Sequence, residues 1–247
     1  MGNTGDARVA LLERLFDHAP LFPPASLPLE DAIREDERAR VSRFAFALGR
    51  LVWPASRLAQ EPPGRALSVV LDVPLEREKR VDAVEVPPGG DVERAASLAP
   101  EVYAEVPLDD DLEVALDHVA DLGLRAKVRC GGASAPSSAE LARFLRGCRR
   151  RGIPFKATAG LHHAVRREGE HGFLNLLAAT VFDYEEAALD EPDPAAFSLD
   201  GARFSWRGRT AGVEELTTAR REGLHSIGTC SFFEPIEELE ALGMLPL

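Results

Sequence analysis

The chain has 247 residues, enough for one large α/β domain or two small ones, and a formal net charge of −12 on a globular composition. That acidity argues against a nucleic-acid footprint and against a basic helix lying on a membrane surface. Three cysteines, Cys130, Cys148 and Cys230, lack CxxC spacing and favour a reducing compartment over a disulfide framework or structural zinc. With no apolar run of membrane-spanning length and no N-terminal signal pattern, a cytoplasmic location is expected.

Taken in order, Arg8 to His18 and Leu29 to Ser42 carry helical periodicity, with the stiff turn Leu21-Phe22-Pro23-Pro24-Ala25 between them. Residues 1–45 therefore read as an N-terminal helical cap. Leu48 to Trp53 and Leu67 to Val73 read as strands, each stopped by a proline, and Ala83 to Val86 and Val102 to Val106 as two more. Helices are expected over Val92 to Leu98 and Asp111 to Leu122. Next comes a βαβ unit: an extended Ala126 to Cys130, a break at Gly131-Gly132, a helix from Ser137 to Arg151 opened by the capping box Ser137-Ser138-Ala139-Glu140, and an extended Ile153 to Ala159. A long apolar helix from about Gly172 to Leu189 follows, then a hairpin over Phe197 to Trp206, a helix over Val213 to Glu222, a last strand over Ser226 to Phe232, and a short helix opened by Pro235. No linker or composition shift divides the chain, so residues 1–247 read as one domain. The repeating strand-helix units predict a parallel β/α barrel of the TIM kind, with an open doubly wound sheet as the alternative. The pattern yields seven strands where such a barrel has eight.

Side chains two apart on a strand share a face. On that rule Asp72, Glu85, Glu105, Lys127 with Arg129, and Lys156 with Thr158 interrupt the apolar runs near the strands' C-terminal ends, where a β/α barrel places its site. The chain has only three lysines, Lys79, Lys127 and Lys156, against twenty-six arginines. A lysine inside an apolar strand suggests a need for an amine, because a desolvated lysine can lose its proton and arginine cannot. The competing reading is a set of structural ion pairs, such as Lys127 with Glu105, that closes the barrel. Two outcomes are distinguishable for Lys156: beside Lys127 and Arg129 its pKa falls, whereas a close pair with Glu85 or Glu105 raises it and makes it structural. His162, His163 and His171 follow the Lys156 strand and are candidates for substrate contact or proton transfer; one of the first two with Glu85 or Glu105 is a metal alternative. Amides at Gly131, Gly132 and Gly228 are candidate anion donors.

These stretches resemble a bacterial protein family whose members share a Leu-Phe-Pro-Pro segment, a Lys-X-Arg-X-Gly-Gly strand end, Phe-Lys-Ala-Thr-Ala-Gly-Leu-His-His, His-Gly-Phe-Leu-Asn and Cys-Ser-Phe-X-Glu-Pro. Here they are Leu21 to Pro24, Lys127 to Gly132, Phe155 to His163, His171 to Asn175 and Cys230 to Pro235. That resemblance covers most of the chain and implies no chemistry. Lys156-Ala157-Thr158-Ala159-Gly160 is also similar to the Lys-Thr-Ser-Thr-Gly strand end of class I aldolases of the deoxyribose-phosphate type. This implies a barrel lyase acting through a lysine imine on a small oxygenated, possibly phosphorylated, carbonyl compound. Lys156 would be the nucleophile, with Lys127 standing in for that family's second lysine, which no residue after Lys156 supplies. Glu105 and Glu85 would move protons, and Arg129, Thr158, Gly131, Gly132, His162, His163 and His171 would hold substrate. No cofactor is expected, no nucleic-acid or membrane partner, and a homo-oligomer is compatible with the sequence. The reading from a different class is a barrel that binds a small ligand or a partner without catalysis.

Overall fold

The computed structural model describes residues 5–132 and 135–246. In chain order the elements are α1 (Ala7–Leu12), β1 (Phe16–His18), α2 (Leu29–Arg40), β2 (Leu48–Pro54), β3 (Leu67–Val70), β4 (Ala83–Val86), α3 (Val92–Ala95), β5 (Glu101–Glu105), α4 (Leu112–Asp121), β6 (Arg125–Arg129), α5 (Ser138–Arg151) and β7 (Phe155–Thr158). After these come α6 (Phe173–Phe182), α7 (Glu185–Leu189), β8 (Phe197–Leu199), β9 (Arg203–Trp206), β10 (Arg209–Gly212), α8 (Val213–Glu222), β11 (Leu224–Thr229) and α9 (Phe233–Ala241). Strands β1 to β7 and β11 close into an all-parallel barrel, with β11 pairing β7 on one side and β1 on the other. Among the described residues no helix is long and apolar enough to cross a membrane.

The eighth strand lies inside the segment that reads as a cap. Residues 8–18 look like one helix because apolar side chains recur at helical spacing. The helix ends at Leu12, however, and Arg14 takes a left-handed conformation (φ 51°) that turns the chain into β1. Phe16 and His18 then face outward, Phe16 edge-on to Phe173 of α6 with ring centroids 5.5 Å apart, and Asp17 points the opposite way, into the lumen. The N-terminal segment thus carries helices α1 and α2 and also closes the barrel.

The central βαβ unit folds as its sequence dictates. Ser137 and Glu140 form the reciprocal capping box, Arg149 to Arg151 sit at the negative end of the α5 dipole, and Gly152 ends the helix in the left-handed region. Phe144 of α5 packs edge-on against Phe155 of β7 at 5.3 Å. The long apolar helix expected over residues 172–189 is instead the pair α6 and α7, broken where Asp183 adopts φ 58°. Buried Asn175 ties that pair down: its side-chain amide donates to the carbonyls of Ala188 (2.7 Å) and Glu191 (2.8 Å), and its oxygen accepts from the Arg166 amide. The expected hairpin is a three-stranded antiparallel sheet, β8 to β10.

Candidate functional site

In most β/α barrels, layers of branched apolar side chains fill the lumen. Here alternation puts Asp17, Ser68, Glu85, Tyr103, Glu105, Lys127, Arg129, Lys156, Thr158 and Ser226 on the inward face, opposite outward Phe16, Val69, Val84, Val128, Ala157 and Ile227. Neighbouring strands bring Glu105 level with Lys127, Lys127 with Lys156, and Lys156 with Ser226. The register therefore stacks these groups into one continuous ionic layer.

Lys156 is its centre. Its Nζ donates to Asp17 Oδ2 at 2.7 Å and to Glu85 Oε1 at 2.6 Å, and the residue has no exposed surface. Asp17 lies on β1 and Glu85 on β4, so this ammonium, reaching out from β7, spans the lumen and plugs it. Asp17 also accepts from the Ser226 hydroxyl (2.8 Å) and the Arg50 amide (2.7 Å), and Glu85 from the Ser68 hydroxyl (2.8 Å). Lys127 sits between Glu85 Oε2 at 3.0 Å and Glu105 Oε2 at 3.1 Å. Burial alone would lower the Lys156 pKa, but the adjoining Asp17 and Glu85 charges and their hydrogen bonds raise it above the ordinary lysine value. Burial likewise would raise Glu85, yet Lys156, Lys127 and the Ser68 hydroxyl hold it well below the usual carboxylate range. Lys156 is therefore an ammonium and Glu85 an anion across the working pH range.

Above this plug, at the C-terminal mouth, lies a cavity of about 180 Å³. Its apolar lining comes from Phe22, Pro23, Val52, Val70 and Leu161, and its polar lining from Glu85, Lys127, Arg129, Thr158 and His162. Lys156 does not line it. Lys127 keeps 5% of its surface exposed and is the amine on the wall, while Arg129 is exposed at the lip. The Leu21 to Pro24 turn, which reads as a mere anchor, supplies part of the apolar lining through Phe22 and Pro23.

Several expectations need correcting on this geometry. Lys156 is not an amine with a lowered pKa flanked by Lys127 and Arg129; two carboxylates hold it as a buried cation. Asp72 is not on the inward row, because β3 ends at Val70 and Asp72 is exposed, accepting from the backbone amide of Ser56 at 2.9 Å. Gly131 and Gly132 do not line the cavity. A Cβ on Gly131 would stand 2.4 Å from the Cα of Gly160, so Gly131 is there because the loops after β6 and β7 touch backbone to backbone, while Gly132 takes a positive φ of 97°. His163 turns outward: its Nδ1 lies 2.8 Å from Glu238 of α9. His171 is buried, its Nε2 bonding the Pro136 carbonyl at 2.8 Å and its Nδ1 facing Arg166; burial lowers its pKa, and it pins a loop. His162, Thr158 and Arg129 do reach the cavity, and Gly228 lies on its wall. His162 Nδ1 stands 3.9 Å from Glu234, and among the described residues no three His, Cys, Asp or Glu side chains are grouped as a set of metal ligands.

Asp17, Ser68, Tyr103 and Ser226 are the members of the layer that the residue pattern did not single out. Asp17 was hidden by the helical reading of its strand; Ser68 and Ser226 are small polar residues in apolar strands, the one available signal. The cysteines are unpaired and buried, with Cys130 pushed up to about 12 by burial and Cys230 on the cavity wall. No family model matches the chain, and neither does any curated protein.

Proposed function

We propose that the protein is a lyase of the aldolase kind, acting on a small oxygenated carbonyl compound through an imine at Lys127 rather than Lys156. The observation that carries this reading is that the cavity opens onto Lys127 at its charged end while Lys156 is sealed beneath it. Glu105, 3.1 Å from the Lys127 nitrogen, takes the ammonium proton as a carbonyl approaches. The freed amine attacks the carbonyl carbon, the carbonyl oxygen leaves as water, and a protonated imine forms. The protonated imine accepts the electron pair of the bond between the substrate's α and β carbons as that bond breaks, giving an enamine and releasing the β carbon as an aldehyde or ketone. The β-hydroxyl proton passes to His162 on the cavity wall and from it to the enamine carbon, and water hydrolyses the resulting protonated imine to free Lys127. Lys156 fixes Glu85 as a permanent anion, and Glu85 in turn holds the Lys127 chain at the cavity floor. Unpaired, buried cysteines suit the reducing cytoplasm.

Borohydride reduction in the presence of small aldehydes and ketones, followed by peptide mass mapping, tests the reading. The expected result is a reduced adduct confined to Lys127. An adduct at Lys156, or none with any carbonyl compound, refutes it. One observation favours the second reading, a barrel that binds a ligand without reacting: each amine of the layer already faces two carboxylates, a fully compensated arrangement. In that case ligands raise the melting temperature and nothing traps.

A further inference from the structure

Resting on that reading, we infer that the substrate's charged group is a single carboxylate and not a phosphate, so that the substrate class is a small oxo acid. Lys127 and Lys156 face the three carboxylates Asp17, Glu85 and Glu105, and Arg129 adds a third positive charge at the lip of the cavity. The layer is balanced before anything binds. A carboxylate adds one negative charge to it, whereas a phosphate adds about 1.5 to 2 beside the permanently ionised Glu85.

Donors give the same answer. Among the described residues Arg129 has no carboxylate within ion-pairing distance, and its planar guanidinium matches the two oxygens of one carboxylate. A phosphate presents three strong acceptor oxygens and calls for further donors. The Thr229 hydroxyl is committed to the Ser231 carbonyl at 2.7 Å, the Thr158 hydroxyl faces the Val128 carbonyl at 3.4 Å, and Gly131 is packed against Gly160 rather than on the cavity wall. Lys127 is consumed by the imine. Size agrees, because Lys127 and Arg129 stand two apart on one face of β6, with Cα atoms about 6.6 Å apart. A compound of a few carbons, with its carbonyl at Lys127 and its carboxylate at Arg129, fills the 180 Å³.

The test is borohydride trapping with pyruvate and 2-oxobutyrate, with glyceraldehyde 3-phosphate, and with neutral glycolaldehyde, in the natural chain and in Arg129→Ala. Pyruvate or 2-oxobutyrate should label Lys127 faster than glyceraldehyde 3-phosphate does. Arg129→Ala should slow oxo-acid labelling about ten- to a hundred-fold, the loss of a charge-assisted bidentate contact, and slow glycolaldehyde labelling several-fold less than that. Arg129→Gln makes the same comparison if the alanine variant melts early. Preferential labelling by the phosphorylated aldehyde overturns the inference and leaves the imine reading standing, as does an equal loss with glycolaldehyde. No labelling of Lys127 by any of the four compounds fails the imine reading itself and the inference with it.

Discussion

Replacing Lys156 by methionine removes the ammonium that faces both Asp17 and Glu85 and leaves their shape neighbours in place. Breaking a buried ion pair from one side costs about 3–5 kcal/mol, because the remaining charge keeps its desolvation penalty and loses its partner. In a chain of this size each kcal/mol moves the melting temperature by about 2–4 °C, so Lys156→Met should melt about 6–20 °C below the natural chain at neutral pH. The gap should depend on pH in a definite direction. The depressed pKa of Glu85 contributes stability that is complete above the unfolded carboxylate value of 4.5 and is lost as pH falls toward the folded value. Much of that contribution disappears with Lys156, so the difference between the proteins should be full at pH 7 and shrink below about pH 4.5. Adding Asp17→Asn to Lys156→Met should recover part of the loss, since one orphaned charge is then gone while the amide oxygen still accepts from Ser226. Calorimetry across pH 3 to 8 is the assay. A variant that melts within about 2 °C of the natural chain at pH 7 would mean that no buried carboxylate depends on Lys156, and the account of the plug would be wrong.

Two further outcomes concern other parts of the barrel. His18, fully buried, has Nδ1 3.2 Å from Asp36 and Nε2 3.7 Å from Glu35, both on α2; burial would lower its pKa, but the two carboxylates raise it above 6.5. Its contribution is therefore complete below pH 6.5 and lost as pH rises through the folded value, so the urea-stability gap between the natural chain and His18→Gln should close on going from pH 6 to pH 9. A gap constant over that range would contradict a protonated His18. Gly131→Ala drives a methyl to 2.4 Å from the Gly160 Cα and should cost about 1–3 kcal/mol in urea denaturation; an unchanged midpoint would show that these loops do not touch.

The sequence carried the barrel because seven of its strands are apolar runs ended by proline, glycine or charge, and all seven occur. It hid β1 because three residues cannot show a period of two beside a helical repeat, and the turn at Arg14 depends on backbone conformation that no residue type announces. Losing β1 meant losing Asp17, and with it the partner that decides what Lys156 is. On paper each lysine is a lone amine in a strand, and only the resemblance to an aldolase strand end singles out Lys156 as the nucleophile. What separates them is which carboxylates the closed circle of strands brings to each: β1 and β4 across the lumen for Lys156, β4 and β5 beside the cavity for Lys127. Such cross-barrel neighbours are set by closure, not by spacing along the chain. His171 and Asn175 stood out as a motif because buried polar groups with committed partners are as exacting about residue type as a reactive site is.

Barrels of this architecture diversify because each strand-to-helix connection is ordinarily a separate cassette, exchangeable without disturbing the one beside it. The backbone contact between Gly131 and Gly160 removes that independence for the pair following β6 and β7. An insertion or a bulkier residue in one connection displaces the other, and through it the ends of both lysine-bearing strands. Grafting new specificity onto this scaffold would have to treat the two connections as a single unit.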